Sequence, residues 1–142
     1  MSGSAAAPTS PGTGWRSTRR PGENSGGPAL DQTEWQLRQD LAACYRIFDH
    51  LGWVEMIYNH ITVRIPGPEH HFLINPFGLM YREVTVSNLV KIDLEGRIIG
   101  ASAWPVNPAG FVIHGAIHAA IPEAHCVMHT HTTAGMAVAC KR

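Results

Sequence analysis

Two histidines one residue apart, His129-Thr130-His131, close a short apolar run from Cys126 to Met128. That order of residues predicts a buried strand carrying a metal site at its end. On a strand, residues i and i+2 share a face, so both imidazoles would project side by side while Thr130 faces away. Neutral imidazole is the commonest nitrogen ligand for zinc, and other divalent ions accept it. The plain alternative is a pair of partly buried histidines satisfied by backbone hydrogen bonds, since the spacing itself shows neither a third ligand nor an outer shell. A second pair, His114 and His118, stands at helical spacing on one face. Such a pair either binds a metal or is carried without function where a helix packs beside a sheet.

Several elements must position these groups. Met1 to about Leu30 is rich in Gly, Pro, Ser and Thr, with Arg16, Arg19 and Arg20 as its charge cluster. It buries too little apolar surface to offset its ordering entropy and reads as a disordered tail, leaving 31–142 as the domain. Asp31 and Glu34 have capping-box spacing, and Leu37, Leu41, Cys44, Tyr45 and Phe48 recur at three and four residues, predicting an amphipathic helix that ends near Gly52. Ile61, Val63 and Ile65 alternate with polar residues as in a half-buried strand. His71 to Asn75 is its hairpin partner, and Pro76-Phe77-Gly78 turns the chain. Thr85 caps one predicted helical turn before a second hairpin, Val90 to Leu94 with Arg97 to Ile99. Pro108 opens a helix over Ala109 to Ala120 with Ile113, Ile117 and Ala120 as its apolar stripe. After the metal-site strand, Thr132 to Cys140 begins another helix. Hairpins flanked by helices imply α/β or α+β layering, with one sheet covered by helices.

Composition narrows the function classes. The chain has 142 residues, 44% hydrophobic and 15% charged, which suits one domain with a real core. No apolar run approaches the roughly 18 residues of a membrane span, and the start lacks the basic and apolar regions of a secretory signal. Eleven basic and eleven acidic residues cancel, which argues against a nucleic-acid surface or a polybasic membrane contact. The three cysteines, Cys44, Cys126 and Cys140, form no CxxC pair and are expected as reduced, buried thiols in the cytoplasm.

Five blocks carry a wider resemblance: Asn59 to Arg64, Ile74 to Tyr81, Leu89 to Asp93, Asn107 to His114, and His125 to His131. In this order and spacing, from about Trp35 to Ala139, the chain resembles the class II aldolase and adducin family. The resemblance implies a three-layer α/β/α sandwich that assembles as a tetramer. It implies zinc held by the HxH pair, here His129 and His131, and by a third histidine that would lie beyond Arg142. Zinc in such enzymes grips the hydroxyl and carbonyl oxygens of a sugar phosphate or hydroxy acid and stabilises the enediolate formed on carbon–carbon cleavage. The same resemblance places Asn59 and the Asn75 to Gly78 turn in loops that hold substrate phosphate, a task suited to backbone amides and glycine.

One departure bears on catalysis. Aldolases of this family carry an acid/base glutamate four residues before the histidine that corresponds to His114. Here that place is Gly110, preceded by Pro108 and Ala109 where the family commonly has two serines that help bind phosphate, so neither proton transfer nor a serine hydroxyl is supplied. Glu95 and Glu123, the nearest carboxylates in sequence, lie in a turn and beside a proline and are not obvious substitutes. In these blocks the chain looks more like the adducin head and its bacterial relatives. Two functions therefore stand open: a zinc enzyme, either an aldolase-like lyase or an epimerase or decarboxylase of the same superfamily, or a non-catalytic adducin-head-like scaffold with the actin cytoskeleton as candidate partner. A truncated gene product is a third expectation, since the last helix is cut short at Lys141-Arg142.

Overall fold

The structure, a computed structural model, describes residues 32–141. The expected tail and the capping residue Asp31 lie outside the described residues. The elements run α1 (Gln32–His50), β1 (His60–Arg64), β2 (Phe72–Ile74), a 3-10 turn (Tyr81–Glu83), β3 (Val90–Ile92), α2 (Pro108–Ala120), β4 (Cys126–His129) and α3 (Thr133–Ala139).

The apolar spacing of α1 places Leu41, Tyr45 and Phe48 on its buried side. Its end is set by Gly52, whose φ of +69° suits a residue without Cβ. Gly52 donates to the Asp49 carbonyl (3.1 Å) and Trp53 to the Phe48 carbonyl (2.9 Å), so the orphan carbonyls of the last turn are satisfied. The Trp53 ring then closes edge-on over Phe48, with centroids 5.3 Å apart. At the other end Glu34 is buried, and its carboxylate takes hydrogen bonds from Arg38 Nε (2.9 Å) and Lys91 Nζ (2.8 Å). Burial alone would raise its pKa, but the Lys91 and Arg38 contacts outweigh it and hold the carboxyl below its usual range.

The sheet is antiparallel throughout, in the order β3-β2-β1-β4. Alternation along β1 gives the sheet two unlike sides. Ile61, Ile65 and Leu73 join Leu41, Tyr45, Phe48, Tyr81, Val84 and Leu89 in a core beneath α1. Phe72, Ile74, Val90 and Ile92 join Phe111 of α2 in a second core on the opposite side. The described part is thus helix, sheet and helix in three layers, an α/β arrangement as expected. Fully burying one such aliphatic or phenylalanine side chain contributes about 1.5–3 kcal/mol.

Five expectations are corrected. The second hairpin shrinks to a single bridge between Ile92 and Ile98, because Asp93 draws the intervening turn onto its own carboxylate, accepting from Glu95 N (3.0 Å) and Arg97 N (2.9 Å). Thr85 caps a turn rather than a helix, with its hydroxyl on Asn88 N at 3.3 Å, and the helical turn falls earlier at Tyr81–Glu83. The Ile113 stripe of α2 points outward, with Ile113 59% exposed, because Gly110, Phe111, His114, Gly115 and His118 form the buried face. The strand β4 is exposed or half-buried rather than buried, since it lies at the end of the sheet order and the groove between it and α1 stays open. For the same reason Cys126 is exposed, as is Cys140 on the last turn, while Cys44 is half-buried; all three thiols are free.

Candidate metal centre

The register of β1 against β4 sets His60 directly opposite His129, and the two rings stack with centroids 5.1 Å apart and planes 23° apart. The strand ends at His129, so His131 is placed by the bend into α3 and not by strand alternation. Thr132 fixes that bend, its hydroxyl accepting from Gly135 N at 3.1 Å. The expected juxtaposition of the two histidines is nevertheless reached. Their Nε2 atoms lie 2.5 Å apart, with the rings edge to face at 86°.

The outer nitrogen of His131, Nδ1, meets the Glu55 carboxylate. A carboxylate only accepts, so Nδ1 carries the hydrogen and the Nε2 of the neutral ring is left with its lone pair. In the metal-free pair His129 Nε2 then supplies the hydrogen shared between the rings, and ligation through that nitrogen requires the tautomer with the hydrogen on Nδ1. Asn59, which is buried, ties both partners down: its Oδ1 accepts from the Glu55 backbone N–H and its Nδ2 donates to the His129 carbonyl at 3.4 Å. A divalent ion that favours imidazole fits the donor chemistry of this convergent pair. Among the described residues, no three His, Cys, Asp or Glu side chains are grouped to hold an ion. Two imidazoles are two of the four ligands that a tetrahedral site requires.

Gly110 lies against the same cluster. A Cβ there would stand 2.8 Å from His60 Nε2 and 2.9 Å from two ring carbons. The place where the resemblance expects an acid/base glutamate is filled by the His60 imidazole. That ring is buried, its Nδ1 contacts the Tyr58 carbonyl at 3.3 Å, and its Nε2 is buried without a hydrogen-bond partner. Burial pushes the His60 pKa down, against the opposing pull of the Tyr58 carbonyl.

The second histidine pair serves the fold. Thr62 Oγ1 sits 2.8 Å from both His114 Nδ1 and His118 Nε2, and His118 Nδ1 lies 2.9 Å from the Ala124 carbonyl. A carbonyl only accepts, so His118 carries its hydrogen on Nδ1, Thr62 donates to His118 Nε2, and His114 donates to Thr62. Burial, followed by the neighbouring His60, His118 and His129, lowers the His114 pKa to about 3. Burial likewise lowers that of His118. Arg64, next but one along β1, donates to the His118 carbonyl and stacks over Phe72 at 5.1 Å.

The two other predicted phosphate-binding residues, Asn75 and Gly78, lie on the turn after β2. Asn75 is buried on the α1 side, where its Oδ1 accepts from the Tyr45 hydroxyl (3.0 Å) and its backbone N–H donates to the same oxygen (3.2 Å). Gly78 is exposed at φ +97°. Glu95 is paired with Arg97 at 3.1 Å. Reading the sequence missed Glu55, His60 and Thr62. Glu55 lies in the segment between α1 and β1, which has no period, and His60 is hidden inside a strand whose alternation drew attention to its apolar partners.

The pattern that defines the Class II Aldolase and Adducin N-terminal domain matches residues 39–142. A Caulobacter vibrioides protein that carries an aldolase class 2 name is 56% identical over 109 residues, covering 77% of this chain and 42% of that protein. Alpha-adducin of Rattus norvegicus is 54% identical over 112 residues, covering 78% of this chain and 15% of the adducin. Among solved structures, an aldolase II superfamily protein from Pseudomonas syringae superposes with a TM-score of 0.75 at 46% identity, covering 80% of this chain and 46% of the other. An L-fuculose 1-phosphate aldolase from Glaciozyma antarctica PI12 gives 0.69 at 41% identity, covering 80% and 48%. The chain thus spans less than half the length of each of these relatives. With the three-layer fold and the ordered motif blocks in agreement, this chain belongs to the class II aldolase and adducin N-terminal domain family.

Proposed function

We propose that this domain is the metal-binding part of a class II aldolase-type lyase, with His129 and His131 as ligands of a divalent ion, zinc foremost. The observation that carries the reading is the convergence of the two Nε2 atoms at 2.5 Å with Glu55 behind His131. Such an ion supplies Lewis-acid stabilisation of negative charge on a carbonyl oxygen. The substrate class is a small hydroxy-carbonyl compound, a sugar phosphate or hydroxy acid. The likeness to a protein named as an L-fuculose 1-phosphate aldolase supports that class.

The residues of this chain divide the remaining work. Asn59 accepts the Glu55 N–H on Oδ1 and keeps one amide hydrogen beyond the one given to the His129 carbonyl, and that hydrogen and the exposed Gly78 backbone are the donors offered to a phosphate. Asn75, bonded to Tyr45, shapes that turn from behind. The His60 ring over Gly110 closes the floor of the cluster and excludes water from His114. A homo-oligomer, tetrameric as in the family, and a cytoplasmic setting complete the reading. Among the described residues no helix is long and apolar enough to cross a membrane.

A second reading is favoured by one observation: the filled space over Gly110 leaves no room for the glutamate of the family's aldolases. On that reading the domain is an adducin-head-like scaffold, with the actin cytoskeleton as its partner, in line with the 54% identity to alpha-adducin. Competition for zinc against a chromophoric chelator tests the first reading. Saturable uptake that falls at least tenfold in the His129→Ala, His131→Ala double variant is expected. No uptake by the wild-type chain, before or after refolding with zinc, would leave the scaffold.

A further inference from the structure

We infer that Glu55 is the positioning residue of the metal centre: its carboxylate fixes His131 with the hydrogen on Nδ1 and so turns the Nε2 lone pair toward His129. The inference rests on the metal reading above.

Three observations carry it. The first is the contact itself, between Glu55 Oε2 and the one His131 nitrogen that does not face His129. A ligating imidazole commonly donates its other N–H to a carboxylate, which sets the tautomer and raises the basicity of the ligating nitrogen. The second is how Glu55 is held. Asn59 accepts its backbone N–H and also donates to the His129 carbonyl, so one buried amide fixes the carboxylate loop and the first histidine together. Met56, next in the chain, has a φ of +47°, an unfavourable conformation for a residue with a side chain, and this local cost accompanies the presentation of Glu55. The third is exposure. The Glu55 and His131 side chains are 51% and 38% exposed, and the cores beneath the sheet involve neither. Among the described residues Glu55 makes no ion pair with Lys or Arg, unlike Glu34 and Glu95. The position of this carboxylate is explained by His131 and not by packing.

The test uses the whole chain with Glu55→Ala and Glu55→Gln. Long-range proton–nitrogen NMR on the metal-free protein reads the His131 tautomer, and chelator competition with zinc reads affinity. In the wild type His131 carries its hydrogen on Nδ1. Glu55→Ala mixes the two tautomers and weakens zinc binding by about 10- to 100-fold, with the unfolding midpoint unchanged. Glu55→Gln retains an acceptor oxygen, keeps the tautomer and loses less affinity. A wild-type chain that binds zinc, with tautomer and affinity unmoved in Glu55→Ala, overturns the inference and leaves the metal reading standing. A wild-type chain that takes no zinc overturns that reading, and the positioning role with it.

Discussion

On the α1 side of the sheet, Leu41, Tyr45 and Phe48 meet Ile61, Ile65 and Leu73, whereas the α2 side sets His114 and His118 against Thr62 and lays His60 over Gly110. Both sides are read from the same strand, β1, whose alternate residues turn opposite ways. The apolar side anchors the fold by burial, with one polar exception, Tyr45. Its single hydroxyl hydrogen is shared between the Ile61 carbonyl (2.5 Å) and the more distant Asn75 Oδ1 (3.0 Å), and its oxygen receives the backbone N–H groups of both residues. The α2 side combines a smaller apolar core with a hydrogen-bonded group, His114, Thr62 and His118, and His60 joins that group to His129 through ring contacts alone. The lesson is a division along one strand: an apolar core beneath α1, and beneath α2 a smaller apolar core, with Phe72, Ile74, Val90, Ile92 and Phe111, joined to buried histidines.

Substitutions on each side should break or sharpen that division. The largest loss is expected for Tyr45→Ala, which empties a fully buried ring site and orphans the strand groups bonded to its hydroxyl. A cost of about 3–5 kcal/mol in chemical denaturation is predicted. A cost below that of substitutions beneath α2 would overturn the assignment of the anchor. Next comes Gly110→Glu, whose Cβ would press on the His60 ring at 2.8–2.9 Å. About 1–3 kcal/mol of destabilisation is expected, with part recovered in the His60→Ala, Gly110→Glu double variant. Additive costs in the double variant would show that the ring does not fill that space.

A pH series separates the two sides without changing shape. The His114 pKa is lowered by burial and neighbouring histidines to about 3 from its ordinary 6.5. The folded state thus binds the proton more weakly than the unfolded chain, and His114 contributes stability that is complete above pH 6.5 and lost as the pH falls toward 3. Denaturation midpoints should fall across that window, and less steeply in His114→Gln. Parallel slopes would place the acid sensitivity elsewhere. The smallest effect belongs to Asn107→Ala, which removes the side-chain acceptor for Ala109 N (3.1 Å) at the start of α2. About 1 kcal/mol is predicted from unfolding curves.

Much of the scaffold was legible because periodicity reports burial. The spacing from Leu37 to Phe48 located α1 and Gly52 marked its end; alternation around Ile61 located β1; Pro108 located α2. The α2 stripe failed because that helix carries apolar residues on more than one side, and only the sheet decides that the histidines and glycines go inward. The histidine pair was legible as HxH, yet the strand ends before His131 and the local bend completes the approach. Glu55 is 76 residues from its histidine in sequence, and no local pattern joins them. His60 could be placed over Gly110 only once β1 and α2 were packed together, which is tertiary information.

X-ray absorption at the zinc edge of the loaded chain tests the central claim most directly. A nitrogen and oxygen shell at about 2.0–2.1 Å is expected, with outer scattering from two imidazoles that disappears in the His129→Ala, His131→Ala variant. A sulfur shell at about 2.3 Å, drawn from the exposed Cys126 and Cys140, or imidazole scattering that survives the double substitution, would contradict it.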